Sequence, residues 1–366
     1  MKQTSFAVLV IPSLNPDEKL ISLVKGSLEY FSDVIIINDG SKKDCDAIYK
    51  RIKTEYSGIH YLVHDENKGK GVAIKTAIEY FLSTNLNKEY AGIITADSDG
   101  QHELTDIIAM DKQLGAHGDK SLIIGYRDLD SNNMPVRSKF GNKTTAFLFR
   151  SLYGINLKDT QSGLRAFSKD ILNWLLTIKG ERFEYEMNTL IKSKNADFEI
   201  YEHPITTKYE QNHKSNFRSL RDSARVVGVL LSGILSFIIA GIIAGIVDIG
   251  VFALFNYAIL PSVISLALNL LISTVVARIF SSIVNFIFNR FVTFGGKRIS
   301  KRSIIKYYTL WFVQLSLSYV TVLIFTTLFG GGEIIIKLVV DLALALASYQ
   351  IQLKWVFKKK EVSYAK

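Results

Sequence analysis

Gly92-Ile-Ile-Thr-Ala-Asp97-Ser-Asp99-Gly-Gln101-His102 joins a short apolar run to two carboxylates at i and i+2. A continuous Ile-rich run of this length reads as a strand buried on both faces, the kind used by parallel sheets. Ligands of doubly wound sheets bind outside the carboxyl ends of the strands, so Asp97 and Asp99 stand where chemistry is expected. Two carboxylates with Gln101 nearby offer hard oxygen ligands to Mg²⁺ or Mn²⁺, whose other positions go to water and substrate phosphates. The competing reading, a solvated acidic turn, is disfavoured by the strand before it.

Similar apolar runs lie at 6–11, 34–37, 59–63 and 121–125. Between them Leu20, Ile21, Val24, Leu28 and Phe31 recur at helical spacing, as do Val72, Ala73, Ala77, Tyr80 and Phe81. This alternation predicts an α/β domain with a doubly wound, mostly parallel sheet. The polar residues after each strand are candidates for the site: Pro12, Asn15 and Glu18 after the first, Asp39 after the second, and Lys68-Gly69-Lys70-Gly71 after the third. The Gly-Lys-Gly element matches neither a P-loop nor a dinucleotide fingerprint. It can bring backbone and one ammonium to a phosphate just before a helix, where the N-terminal dipole favours anions.

The 366 residues carry 44 Lys or Arg against 34 Asp or Glu, a net charge of +10, with 48% apolar residues and a single cysteine, Cys45. The 22 Phe and 17 Tyr, with only 5 Pro, exclude a disordered chain, and the lone cysteine excludes a disulfide framework. Residues 226–366 hold 13 basic and 4 acidic side chains, leaving 31 against 30 for residues 1–225. The excess therefore lies between long apolar runs rather than on a polar domain, which argues against nucleic acid and for membrane topology.

Those runs are 237–260, 263–288, 307–329 and 334–356, each exceeding the roughly 20 residues that carry a helix across a bilayer. Four transmembrane helices are expected. The link 289–306 contains Arg290, Lys297, Arg298, Lys301, Arg302 and Lys306 without an acid, and the tail is rich in lysine from Lys354 onward. The positive-inside rule places both, and the N-terminal domain, in the cytoplasm of a plasma-membrane protein. The run 6–11 is too short for a signal peptide. Residues 285–294 and 348–357 align at an offset of 63, which suggests a duplicated two-span unit. Asp248, Arg278, Lys337 and Asp341 fall within the apolar runs or near their ends, where a functional role and ion pairing such as Asp248 with Arg278 are both open.

Taken together, the N-terminal 225 residues resemble a family 2 glycosyltransferase of the polyprenyl-phosphate sugar synthase type. The C-terminal region resembles the GtrA-like membrane domain through Asn285-Phe286, Asn289-Arg290 and the second copy ending Trp355-Val356-Phe357. The resemblance implies a GT-A domain over 1–215, an amphipathic interfacial linker over 216–235 and an all-α, four-helix membrane domain over 236–366. It implies that Asp39 contacts the nucleoside base, that Pro12, Asn15 and Glu18 shape that pocket, and that Lys70 meets the diphosphate. Asp97, Asp99 and Gln101 would match the metal-binding motif, with Arg137, Ser162 and Arg165 on the acceptor phosphate, and Lys214 and Arg218 in a segment closing over the donor. Arg137 joins Asp97 and Asp99 as the expected catalytic set. Leu14 and Pro16 depart from the Tyr and Glu common at those positions in the family.

The implied reaction is inverting transfer of one sugar from a nucleotide sugar, UDP-glucose or UDP-N-acetylglucosamine ahead of GDP-mannose, to undecaprenyl phosphate for cell-envelope glycosylation. A phosphate monoester with its second pKa near 6 is already a dianionic nucleophile at neutral pH, so no general base is required. Glu184 and Glu186 are candidates for sugar hydroxyls or for holding Arg137, and His102 either lines the site or is structural. Basic and aromatic residues interleave over 137–153, as suits a helix on anionic headgroups. Partners are thus a nucleotide sugar, a polyprenyl phosphate and the bilayer, with homo-oligomerisation open. Two other readings are a membrane domain that flips the lipid-linked sugar and, ranked lower, a processive polysaccharide synthase.

Overall fold

A computed structural model describes residues 5–128, 136–193, 196, 198–206, 219–259, 265–296, 298–329 and 333–357, without the side chains of 136–138, 219–223, 266, 267, 333 and 334. The chain divides into two compact units, one formed mainly by residues up to 230 and the other by 231–360 with 151–154.

In chain order the first unit comprises β1 (Ala7–Ser13), α1 (Glu18–Ser27), β2 (Val34–Asp39), α2 (Asp46–Glu55), β3 (Ile59–His64), α3 (Lys70–Ser83), α4 (Leu86–Glu89) and β4 (Gly92–Thr95). It continues with α5 (Leu104–His117), β5 (Ser121–Arg127), α6 (Val136–Tyr153), β6 (Arg165–Ser168), α7 (Lys169–Leu176), α8 (Phe183–Ser193) and β7 (Glu199–Ile205). The sheet order is β3-β2-β1-β4-β6-β5-β7, parallel except for β6, which runs antiparallel to both β4 and β5. All seven residues of β1 are buried because helices cover both faces of the centre. β3 lies at one end of the sheet, and there Val63 is exposed.

Local sequence explains the helices. Asp17 caps α1 by accepting from Lys19 N at 2.9 Å, and Leu20, Ile21, Leu23 and Val24 form its buried face. These pack with Leu9, Ile11, Ile36, Ile94 and Ile107 into one core. The five strands read from the sequence are present, β1 and β2 running two residues beyond their apolar runs. β6 and β7 lacked that signal: β6 is four residues opening on an arginine, and β7 carries Glu199, Glu202, His203 and Pro204 on a half-exposed end strand.

The second unit is helical. α9 (Ser219–Ala253) is followed by a π-helical stretch over Leu254–Ile259, α10 (Leu266–Phe288) by another over Asn289–Thr293, and α12 (Glu333–Ile351) by a third over Gln352–Val356; α11 (Lys301–Phe329) stands between. Among the described residues four segments are long and apolar enough to span a bilayer: Ala224–Ile259, Leu268–Thr293, Lys301–Phe329 and Ile335–Val356. From Ser219 to Ala253 the backbone is one continuous helix.

The repeat is visible in three dimensions. Phe286 meets Phe357 at 5.8 Å and Phe294 meets Tyr349 at 5.5 Å, and these are the same pair with the copies exchanged. Phe294 and Phe357, equivalent in register, meet each other at 5.1 Å. Each copy ends alike: Asn289 donates to Asn285 and Gln352 to Ser348, and the amides of Phe294 and Phe357 close the π turns on Asn289 O and Gln352 O. Asp248 lies 3.7 Å from Arg278 and accepts from Ser281, while Lys337 pairs with Asp341 one turn along α12 at 2.8 Å.

Candidate active site

β1 pairs in parallel with β2 on one side and with β4 on the other, so the order of successive strands reverses at β1 and leaves a crevice at the carboxyl ends. A cavity of about 390 Å³ fills that crevice. Of the residues expected there, Pro12, Asn15, Asp39, Lys70, Asp97, Asp99 and Gln101 all line it.

Lys70 is the first residue of α3, and Gly69 before it has φ +100°, where a side chain would also strike Glu181 O at 2.6 Å. That tight turn delivers the ammonium to the carboxylates: Nζ lies 2.6 Å from Asp97 Oδ1 and 3.0 Å from Glu186 Oε1. Burial works against the charge on Lys70, but Asp97 and Glu186 outweigh it and hold the ammonium above the usual lysine range. Burial likewise opposes ionisation of Asp97, yet Lys70 and His102 hold that carboxyl below the usual carboxylate range. Gly163 closes over this pair, since a Cβ there would lie 2.4 Å from Asp97 Oδ2 and 2.6 Å from Lys70 Nζ.

Asp39 has a different environment. Its Oδ1 accepts from Lys68 N at 2.9 Å and faces His64 Nδ1 at 2.7 Å, while Oδ2 accepts from Gly69 N at 2.8 Å. Both oxygens are thus engaged within the protein, fastening the turn that presents Lys70. Asn15 ties the loops after β1 and β2 together, its amide donating to Ser41 Oγ and its side chain accepting from Lys42 N.

Three expected residues are elsewhere. Glu18 is exposed at the start of α1 and pairs with Arg51 at 3.3 Å; Asp17 lines the cavity instead. Ser162 is buried, its hydroxyl facing Leu164 N. Arg165 is 1% exposed and spends its guanidinium on the carbonyls of Ser162, Glu186 and Thr160, a clamp between the 160–165 loop and α8. Burial draws its pKa below the usual guanidinium range against the opposing pull of Glu186 and Asp159. Lys214, Arg218 and the side chain of Arg137 lie outside the described residues.

The cavity also holds two cations to which the motifs gave no role. Arg127 makes a bidentate pair with Asp159, at 2.6 and 3.1 Å, and Arg182 donates to the side chain and carbonyl of Asn67. Both line the cavity. Arg127 ends β5, so the strand-end rule could have found it; nothing local marks Arg182. Glu184 is turned inward, accepting from the amides of Glu181 and Arg182 at the start of α8.

Asp97, Asp99 and Gln101 fit a hard divalent cation by donor type. Among the described residues no three His, Cys, Asp or Glu could form a cage of their own.

Residues 8–175 match the model of glycosyl transferase family 2, and residues 236–357 match that of the GtrA/DPMS transmembrane domain. The chain is 33% identical over 223 residues to a UDP-N-acetylglucosamine–dolichyl-phosphate N-acetylglucosaminyltransferase of Methanococcus voltae, covering 56% of this chain and 86% of that one. It is 22% identical to a polyprenol monophosphomannose synthase of Mycolicibacterium smegmatis, covering 56% and 78%. Among solved structures, a mannosyl-3-phosphoglycerate synthase from Rubrobacter xylanophilus aligns with a TM-score of 0.47 at 13% identity, over 62% of this chain and 73% of that one.

Proposed function

Because the chain belongs to the family 2 glycosyltransferases that act on polyprenyl phosphates, with a GtrA/DPMS membrane domain behind the catalytic one, we propose that it transfers one sugar from UDP-N-acetylglucosamine or UDP-glucose to undecaprenyl phosphate. The observation that carries this reading is the switch-point cavity, where Asp97, Asp99 and Gln101 stand with Lys70 at a helix N-terminus. The donor preference takes its support from the Methanococcus relative, whose name specifies UDP-N-acetylglucosamine.

Asp97, Asp99 and Gln101 would hold Mg²⁺ or Mn²⁺, which when bound supplies charge compensation at the leaving diphosphate. Lys70 and the amides opening α3 bind the same diphosphate from the protein side, and Arg182 reinforces them. Asp39 orients the 67–71 turn, so its contribution to donor binding is made through Lys70 and the backbone. The acceptor, a dianionic phosphate, attacks the anomeric carbon opposite the leaving group and gives inversion. Arg127, held rigid by Asp159, is a cation of the cavity wall suited to that phosphate. The basic link between the second and third spans supports a cytoplasmic catalytic domain.

Incubation of the protein with undecaprenyl phosphate, Mg²⁺ or Mn²⁺ and a panel of UDP- and GDP-sugars, followed by lipid extraction, tests the proposal. We expect one sugar per lipid, lost on chelation and in Asp97→Asn and Asp99→Asn. Transfer by both variants without a divalent ion would remove the metal from the reading, and product from GDP-mannose alone would replace the donor.

A further inference from the structure

The two carboxylates flanking Lys70 differ in what they face. The Asp97 side chain is 33% exposed and belongs to the set proposed to hold the divalent ion. That of Glu186 is 10% exposed, and Oε1 is sealed from solvent; no other donor among the described residues reaches it. The ammonium, 2.6 Å from one and 3.0 Å from the other, sits in contact with both.

An ion arriving at Asp97 therefore meets a positive charge already in contact with one of its oxygens. Two like charges a few ångströms apart repel, so an ion and the ammonium compete for Asp97. The backbone at Gly163 closes one side of the pair. Lysine is a point charge on a flexible four-carbon stem, and Glu186 offers a second anionic seat without requiring the chain to move.

We propose that Lys70 is the resident counter-ion of Asp97 in the substrate-free enzyme and that Glu186 is the positioning residue that takes over its ammonium when a divalent ion enters with the nucleotide diphosphate. Metal and donor then bind as a pair. Alone, the ion must displace Lys70; with a diphosphate present, the displaced ammonium gains a new anionic partner and the displacement is offset. The inference rests on the metal reading above and adds to it an order of events and a role for Glu186.

The test is a Mn²⁺ titration of the full-length protein in detergent, reading free Mn²⁺ by electron paramagnetic resonance, with and without UDP or GDP. Parent protein should bind Mn²⁺ more tightly when the matching nucleotide is present. Lys70→Met should bind Mn²⁺ alone at least about fivefold more tightly while binding nucleotide more weakly, opposite signs that a merely structural lysine would not produce. Glu186→Gln leaves the ammonium resting wholly on Asp97, so Mn²⁺ alone should bind several-fold more weakly, with most of the loss recovered on adding nucleotide. Lys70→Met that weakens both ligands, or Glu186→Gln with unchanged Mn²⁺ affinity, overturns the hand-over; the second result does so even where the first variant fails to fold. Parent protein that binds no Mn²⁺ even with nucleotide overturns the hand-over together with the metal reading, and transfer under chelation then shows separately whether the sugar-transfer reading survives.

Discussion

Asp39 ends β2 and Asp97 follows β4, the strands on either side of β1, and both line one cavity, yet their partners are of opposite kinds. Asp39 is held by the backbone amides of Lys68 and Gly69 and by His64. Asp97 is held by a lysine ammonium and faces His102 at 3.4 Å. Amides of a turn are fixed dipoles that cost nothing to keep in place once the chain is folded, whereas a lysine head can leave. The first carboxylate therefore builds the site and the second is free to be used by it. Two acids that look alike in the sequence divide into scaffold and working group by the mobility of their donors.

The largest expected effect breaks this division at the scaffold end. Asp39→Ala leaves two turn amides without acceptors and should destabilise the catalytic unit by about 3 kcal/mol, read by urea unfolding. Asp97→Asn, which leaves Lys70 with Glu186, should shift unfolding by less than about 1 kcal/mol; equal losses in both variants would erase the contrast. A smaller effect sharpens the working end. Gly163 has a backbone that any residue can adopt, so Gly163→Ala acts only by pushing Asp97 and Lys70 apart, and transfer should fall by about tenfold or more with a near-parental unfolding midpoint.

The smallest effect concerns the loops on the scaffold side. Burial pushes the Tyr49 phenol up to about 12, its hydroxyl lying 3.1 Å from Ser13 Oγ and 2.9 Å from Ser41 Oγ. A pKa higher folded than unfolded means that the unfolded chain loses this proton first. The associated stability is complete below the unfolded value near 10 and declines as pH rises from there through about 12. Tyr49→Phe should flatten that part of the alkaline decline in the thermal midpoint, and an unaltered slope would assign it elsewhere.

How much could be read in advance follows the same physics. Strand ends are local, so Asp97, Asp99, Gln101 and Lys70 were legible from runs of a few residues. The four spans were legible because length and apolarity suffice. Arg182 reaches the cavity from the turn before α8, which docks on α3 through Val72 N to Glu181 O, a contact between segments more than 100 residues apart. Spacing cannot announce it. Arg165 shows the converse: a motif position transfers residue type but not orientation, and here three backbone carbonyls claim the guanidinium before any phosphate could. The π turns closing the spans had no signal in hydropathy, which is blind to whether a backbone amide bonds the carbonyl four or five residues back.

The reciprocal aromatic contacts between the two hairpins have one more implication. Two separate, identical subunits meeting in this way would be obliged to present the same side chain at every matched position. Tethered in a single polypeptide, the halves are released from that obligation, and they have used the freedom: position 278 is arginine in one half, and its counterpart at 341 is aspartate in the other. The four-helix unit is thereby two-fold in its aromatic contacts and one-sided in its charge at these positions.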